Sequence, residues 1–260
     1  NKEVIQELAL ANLNRKLHNI PPDVAQKKSE ILVVVPAYNE EENIGRVIAD
    51  IKTLDFNPDI LVINDGSRDR TYQAAKATRQ ALVVNLPNNL GIGGAVQTGF
   101  KWADRNGYLV AVQFDGDGQH IAAETPKLLD ALDGGASMVI GSRFIKKHAG
   151  YRSTFTRRLG IKIFMAVNSL LIGQTITDNT SGFRAYDRKA IEFLARNYPV
   201  DYPEPEAVIL LGKNGFTIAE VSTEMQERQS GGSSIHGFLS LYYMVKVLLA
   251  VFMTALRKPV

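Results

Sequence analysis

The stretch Asp115-Gly116-Asp117-Gly118-Gln119-His120 decides how the rest of the chain is interpreted. It directly follows an apolar run, residues 108–114, whose composition favours a β-strand. Two carboxylates on a glycine-rich turn past a strand end can converge on one cation. Carboxylate and amide oxygens are ligands that suit Mg²⁺ or Mn²⁺. The stretch therefore predicts a divalent cation site, and a loop with solvated carboxylates is the plain alternative.

Composition narrows the classes of protein that fit. The chain has 260 residues, of which 45% are hydrophobic, so it can bury a substantial core and global disorder is excluded. Its formal net charge is only +3 and no basic stripe is present, so we expect no nucleic acid as a partner. Cysteine is absent, which rules out disulfides and thiolate metal sites and fits a reducing cytoplasm.

Strand and helix patterns alternate through the first half of the chain. Apolar strand patterns occupy residues 31–36, 60–64, 82–84 and 108–114, and helical patterns lie between them over residues 41–54, 69–80 and 91–105. This alternation predicts an α/β fold with one mainly parallel sheet and helices on both faces. Ligands of such sheets gather at the carboxyl ends of the strands. Tyr38, Asp65 and Asp115 follow three strand ends, so we expect them to share a site.

The second half continues the pattern with longer polar segments. We predict strands at residues 137–140 and 217–221, and helices at 157–172 and 187–196. Residues 178–186 form a turn-rich stretch before the second of these helices. A further helix opens at Tyr202-Pro203-Glu204-Pro205-Glu206, where proline is tolerated because it lies in the first turn. Residues 227–234 form a small, polar loop with Arg228 near its start.

The two ends of the chain flank a central domain. We predict an accessory N-terminal helix within residues 1–30, a catalytic domain at 31–234 and an apolar C-terminal helix at 235–260. Lys246 interrupts the apolar run of the C-terminal helix, which argues against a membrane span. A membrane-interface helix or an oligomer contact is favoured, and a helix packed on its own domain is equally consistent.

Five ordered motifs at the predicted strand ends resemble the inverting family 2 glycosyltransferases with the GT-A fold. They are residues 35–40 (Val-Pro-Ala-Tyr-Asn-Glu), 65–67 (Asp-Gly-Ser), 115–120, 141–143 (Gly-Ser-Arg) and 181–184 (Ser-Gly-Phe-Arg). The resemblance covers about residues 31–235, and within the family the chain looks most like the small polyprenyl-phosphate sugar transferases, of the dolichyl-phosphate mannose synthase type.

The resemblance implies a role for each matching residue. It implies that the nucleoside is held by Pro36, Tyr38, Glu40 and Asp65. It implies that the Mg²⁺ or Mn²⁺ that bridges the donor diphosphate is bound by Asp115, Asp117 and Gln119. It further implies that Arg228 clamps that diphosphate and that an acceptor phosphate is bound by Arg143 and Arg157. Cation and arginine would stabilise the charge that develops on the leaving diphosphate.

The acceptor is the open question at the sequence level. A lipid phosphate is already anionic and needs no general base, whereas a sugar hydroxyl needs a carboxylate within hydrogen-bond reach. Glu204 and Glu206 lie where related hydroxyl-acceptor enzymes carry their base, and Glu206 is slightly preferred. One glutamate could instead complement the helix dipole. His120 could touch donor or acceptor, or be structural.

The sequence therefore favours a metal-dependent, inverting transferase for cell-surface glycan synthesis. We expect it to move a hexose or deoxyhexose from a UDP-, GDP- or dTDP-linked donor to a hydroxyl of a polyprenyl-linked acceptor. Direct transfer to polyprenyl phosphate is the first alternative, and a non-catalytic nucleotide-diphosphate binding module is an alternative of another class. We expect a cytoplasmic protein that is peripheral at the inner membrane face, with a homo-oligomer as a further option.

Overall fold

A computed structural model describes residues 27–145, 165–167, 170–226 and 238–256 of the chain. The predicted N-terminal helix, most of the predicted helix at 157–172 and the loop at 227–234 lie outside the described residues. The strands in the described part are β1 (Ile31–Ala37), β2 (Asp59–Asn64), β3 (Leu82–Asn85), β4 (Val110–Gln113), β5 (Met138–Ser142), β6 (Arg184–Tyr186) and β7 (Ile218–Ser222).

These strands form one sheet in the order β3-β2-β1-β4-β6-β5-β7. All neighbours are parallel except β6, which pairs antiparallel with both β4 and β5. The predicted mainly parallel α/β sheet is therefore confirmed. The carboxyl ends of β1, β2 and β4 lie side by side, so the residues that follow them, Tyr38, Asp65 and Asp115, lie at the same edge of the sheet.

Helices cover both faces of the sheet. They are α1 (Ile44–Ile51), α2 (Thr71–Ala77), α3 (Gly91–Arg105), α4 (Thr125–Asp133), α5 (Arg188–Asn197), α6 (Pro203–Lys213) and α7 (Phe238–Leu256). On one face a buried cluster joins β1 and β2 to α3, α5 and α6 through residues such as Phe100, Ile191 and Val208. On the other face Ile44 of α1 and Leu128 of α4 belong to a second cluster. The sheet is thus buried on both sides, which explains its continuous apolar strands.

The helix α7 packs on α6 near the end of the described chain. Its residues Val247 and Val251 form a small buried cluster with Ile209 of α6. On the other side, four apolar residues at helical spacing are more than half exposed: Leu249, Phe252, Met253 and Leu256. Among the described residues, no helix has both the length and the apolar character needed to cross a membrane.

The strand β6 differs from the sequence-based expectation of a turn-rich stretch at residues 178–186. Only its three residues are extended, although all three are buried between β4 and β5. A strand of this length is too short for the two-residue alternation that identifies strands in sequence. The pairing partners on both sides, which are distant in sequence, supply the hydrogen bonds that make it a strand.

Close packing between α3 and β1 depends on Gly99. A methyl group at this position would overlap the side chain of Val34 in β1. Glycine is unfavourable inside helices, so its presence in the fifteen-residue helix α3 has a packing reason. The absence of a side chain lets the helix lie directly against the sheet.

We predict that Gly99→Ala lowers the free energy of unfolding by about 1–3 kcal/mol, because steric overlap outweighs the better helix propensity of alanine. Gly45→Ala in α1 is the matched control, since an added methyl group there meets no atom within 4 Å. It should be neutral or stabilise by about 0.5–1 kcal/mol. Chemical denaturation measures both, and equal effects of the two substitutions would contradict the packing argument.

Candidate active site

The ends of three parallel strands are tied together by backbone hydrogen bonds. The Asp65 N–H donates to the Ala37 carbonyl at 2.9 Å, and the Gly116 N–H donates to the Pro36 carbonyl at 3.2 Å. A side chain at Gly116 would lie 3.0 Å from the Pro36 oxygen, so only a small residue allows this approach. The three strand-end motifs are therefore held at one edge of the sheet.

A cavity of about 470 Å³ opens at this edge. It brings together most of the predicted donor-site residues and one of the two predicted bases. These are Pro36, Tyr38, Glu40, Asp65, Asp115, Asp117 and Glu204. Gln119, Arg143 and Glu206 do not line this cavity, and Arg157 and Arg228 lie outside the described residues.

The acidic turn concentrates negative charge in the cavity. Burial, together with the nearby charge of Asp117, raises the pKa of Asp115 to about 7. One carboxylate oxygen of Asp115, Oδ1, is buried without a hydrogen-bond partner among the described residues. Asp117 Oδ1 accepts from the Gln119 N–H at 3.0 Å, and Gly118 has a φ of 77°, which shapes the turn. The surroundings of Asp115 thus disfavour its negative charge, and one of its carboxylate oxygens has no hydrogen-bond donor among the described residues.

A divalent cation fits these two carboxylates. Mg²⁺ is commonly held by one or two carboxylates, with substrate phosphates and water completing the coordination. Consistent with this, the described residues contain no cluster of three histidine or acidic side chains that could hold a metal alone. Asp115 and Asp117 are the residues that would hold the cation, whereas Gln119 contributes its backbone to the turn and its side chain is not on the cavity.

Asp65 has a structural partner as well as a place on the cavity. Its carboxylate accepts hydrogen bonds from the backbone N–H groups of Leu90 and Gly91 at 2.7 and 2.9 Å. Burial raises the pKa of Asp65 to about 6, although these two bonds oppose the shift. Asp65 therefore fixes the start of α3 at the cavity, and Tyr38 stands 41% exposed at its mouth.

The two glutamates at the start of α6 point in different directions. Residues two apart on a helix are separated by roughly 200° around the axis, so both cannot face one cavity. Glu204 lines the cavity, and burial raises its pKa while the charge of Arg184 opposes that shift. Glu206 is buried away from it and accepts hydrogen bonds from the Tyr202 N–H and the Thr254 hydroxyl at 3.0 and 2.8 Å. The structure thus places Glu204, and not the preferred Glu206, where a substrate could reach it.

Arg184 is a buried charge beneath the cavity wall. Its guanidinium donates to the carbonyl oxygens of Ser181, Glu204 and Asn179 at 2.7–2.8 Å. The sequence contains it within the Ser-Gly-Phe-Arg motif, but nothing in the pattern distinguishes a buried arginine from an exposed one. Its three carbonyl partners show that it joins the loop before β6 to the start of α6.

Arg143 is held by Asp178 beside β5. The guanidinium donates to both carboxylate oxygens of Asp178 at 2.7 Å and to the Thr180 hydroxyl at 2.9 Å. Asp178 is fully buried, and its backbone N–H donates to Glu220 at 2.7 Å. A two-point contact of this kind fixes the plane of the guanidinium. Arg143 is therefore a pre-oriented cation that is partly exposed at 23%.

The sequence model of Glycosyl transferase family 2 matches residues 32–194, which span more than half of the chain. The single, mainly parallel sheet with helices on both faces agrees with the GT-A fold. The protein belongs to Glycosyl transferase family 2 and is a glycosyltransferase.

Curated relatives cover most of the chain. Polyprenol monophosphomannose synthase of Mycolicibacterium smegmatis is 32% identical over 229 residues, which are 83% of this chain and 84% of the relative. UDP-N-acetylglucosamine--dolichyl-phosphate N-acetylglucosaminyltransferase of Methanococcus voltae is 30% identical over 210 residues, covering 74% of this chain and 83% of the relative. Among solved structures, glucosyl-3-phosphoglycerate synthase of Mycobacterium tuberculosis in complex with Mg²⁺ and UDP has a TM-score of 0.67 and 22% identity, over 88% of this chain and 80% of that chain.

The Arg143–Asp178 pair generates a stability prediction. Asp178→Asn should lower the free energy of unfolding at pH 7 by about 1–3 kcal/mol, because it leaves the guanidinium without its buried counter-charge. Burial acts to raise the pKa of Asp178, but the hydrogen bonds and charge of Arg143 outweigh this effect and hold the pKa below its ordinary value. The contribution is therefore complete above about pH 5 and is lost progressively as the pH falls toward the lowered pKa of the folded state.

Denaturant unfolding of the wild type and of Asp178→Asn at pH 7 and pH 3.5 measures this contribution. Arg188→Gln is a suitable control, since Arg188 pairs with Asp104 and Glu192, all of which are partly exposed. We expect the control to lose less than about 1 kcal/mol. An Asp178→Asn protein as stable as the wild type at pH 7 would contradict the assigned role.

Proposed function

We propose that the protein transfers a hexose or deoxyhexose from a nucleotide-sugar to polyprenyl phosphate, with inversion at the anomeric carbon. The observation that carries this proposal is the cavity at the strand ends. It is lined by Asp115 and Asp117, which could bind a cation, and by residues that could contact a nucleoside, such as Tyr38 and Asp65. The relatives support the acceptor, because the names of two of them specify a polyprenol or dolichyl phosphate product or acceptor.

Different residues along the cavity would bind the nucleoside and the divalent cation. Pro36, Tyr38, Glu40 and Asp65 would receive the nucleoside, and Asp115 and Asp117 would hold Mg²⁺ or Mn²⁺. A bound divalent cation supplies charge stabilisation for the departing nucleoside diphosphate. The carboxylates alone would repel that diphosphate, so their arrangement favours a metal-dependent donor.

A lipid phosphate acceptor would need cationic groups that bind it, and it would need no general base. A lipid phosphate attacks as an anion, so binding and orientation are what the protein must provide. Arg143 suits this task because Asp178 fixes its guanidinium plane while part of the side chain stays exposed. Arginine in such a fixed geometry recognises phosphate oxygens well.

A hydroxyl acceptor is the second candidate, and one observation favours it. Glu204 lies on the cavity with Asp115 and Asp117, and its raised pKa makes it a stronger base than an exposed glutamate. A hydroxyl acceptor, with Glu204 as the base, is therefore the second candidate reaction.

We infer that the protein acts at the cytoplasmic membrane face, because a polyprenyl phosphate is retained by the bilayer. The exposed apolar side chains of α7, such as Phe252 and Leu256, support a peripheral contact with lipid. A contact between copies of the chain is the alternative use of this surface.

We predict that one of UDP, GDP and dTDP binds tightly, and that Mn²⁺ strengthens its binding by about tenfold or more, since the cation offsets carboxylate–phosphate repulsion. Isothermal titration calorimetry with and without Mn²⁺ measures this for the wild type and for Asp117→Asn. The mutant should lose the effect of Mn²⁺ and bind the diphosphate without metal at least as tightly as the wild type, because one repelling carboxylate is gone. If no nucleoside diphosphate binds under either condition, the transferase proposal fails.

The substitution Glu204→Gln separates the two acceptors. With a lipid phosphate acceptor, turnover should fall by less than about tenfold, whereas a hydroxyl acceptor should cost about 10²-fold or more because the base is lost. Transfer from the donor identified by calorimetry to polyprenyl phosphate and to a polyprenyl-linked sugar measures both cases. Glu206→Gln is the neighbouring control for stability effects, because that side chain is bonded to Thr254 and not to the cavity.

A further inference from the structure

The imidazole of His120 contacts Asp115 at two points. The Asp115 backbone N–H donates to His120 Nδ1 at 3.0 Å. On the other side of the ring, His120 Nε2 lies 3.5 Å from Asp115 Oδ2. Because Nδ1 accepts a hydrogen bond, the proton of the neutral ring resides on Nε2 and faces the carboxylate. One side chain therefore engages both the backbone and the carboxylate of the same residue.

The surroundings of His120 hold the ring in this orientation. It stacks on Phe183 with a centroid distance of 4.9 Å and an interplanar angle of 23°, and it meets the edge of Phe114 at 5.2 Å. Its backbone forms an antiparallel bridge with Met225, and its side chain is only 4% exposed. These contacts prevent rotation of the ring. The ring is nearly closed to bulk solvent, although His120 and Asp117 both line a smaller cavity of about 170 Å³.

Two further groups contact the Asp115 carboxylate, and one of them, the side chain of Gln113, lies within hydrogen-bonding reach of it. Gly182 packs so closely on the carboxylate that a side chain there would overlap it, which limits the space but donates no hydrogen bond from a side chain. The oxygen Oδ1 is buried without a partner among the described residues, whereas Oδ2 faces the Nε2 proton. Gln113 and His120 therefore both contact the carboxylate, and His120 also accepts the Asp115 backbone N–H.

We propose that His120 is a positioning residue that fixes the carboxylate of Asp115 for the divalent cation. This inference rests on the proposed function, since it concerns the same cation site. Groups behind a metal ligand commonly orient it, and their removal costs about 10–100-fold in metal affinity. The ring of His120 contacts Asp115 five residues earlier in the same turn, so the turn itself contains the group that orients its first carboxylate.

Three substitutions separate the two contacts of the ring. In His120→Gln the side-chain amide can reach the Nε2 position and donate to the carboxylate. In His120→Asn the amide oxygen can replace Nδ1 and accept the backbone N–H, but nothing reaches Oδ2. In His120→Phe the aromatic stack remains and both polar contacts are lost. Thermal unfolding of each variant establishes that it is folded.

The measurement is Mn²⁺ affinity by electron paramagnetic resonance, with the nucleoside diphosphate that binds the wild type present. We expect His120→Gln to lie within about threefold of the wild type, and His120→Asn and His120→Phe to bind Mn²⁺ about tenfold or more weakly. The metal-free affinity for the same nucleoside diphosphate should be unchanged in all three. A purely structural role would lower both affinities together.

Two results would overturn the inference while leaving the proposed function intact. One is a folded His120→Phe or His120→Asn protein that binds Mn²⁺ within threefold of the wild type. The other is an equal loss of metal-free nucleotide affinity in these variants. If the wild type itself binds no Mn²⁺ with any of UDP, GDP or dTDP, the proposed cation site and the role of His120 fail together.

Discussion

The hydrogen bonds of the buried Arg184 guanidinium hold together one side of the cavity, which is formed by the loop before β6 and the start of α6. Burying a charge is costly unless hydrogen bonds compensate for lost water, and Arg184 meets this condition with three backbone carbonyls. These carbonyls belong to the loop before β6 and to Glu204 at the start of α6. Its position in β6 opposite Gln113 also places it two residues from Asp115 along the neighbouring strand. The loop, the helix start and the acidic turn therefore share one anchor.

Electrostatics in the cavity follow from this arrangement. Asp115, Asp117 and Glu204 bring three carboxyl groups into one space, and burial raises the pKa of both Asp115 and Glu204. Arg143 and Arg184 partly offset this effect on Asp115. The cluster therefore lacks positive charge, which the proposed cation, bound together with the donor diphosphate, would supply. Binding of the proposed donor would thus also relieve the repulsion between these carboxylates.

The sequence predicted what depends on local pattern. The acidic turn, Asp65 and the stretch from Pro36 to Glu40 could be located because each lies at the end of a recognisable strand, and parallel strand ends meet at one edge. The orientation of Glu204 and Glu206 could not be predicted, because it depends on where α6 begins and on its packing against Thr254 of α7. The Arg143–Asp178 pair joins residues 35 positions apart, and no local signal specifies such a partner.

The position of β6 has a consequence for how the chain folds. This three-residue strand lies between β4 and β5, although it follows both of them in sequence. Until it arrives, β4 has an unpaired edge next to the acidic turn, and exposed edges of this kind invite pairing with other chains. Sheet closure requires contacts distant in sequence, which form slowly. The side of the cavity formed by β1, β2 and the acidic turn can thus assemble before β6 is added, and until then the unpaired edge of β4 is open to pairing with other chains.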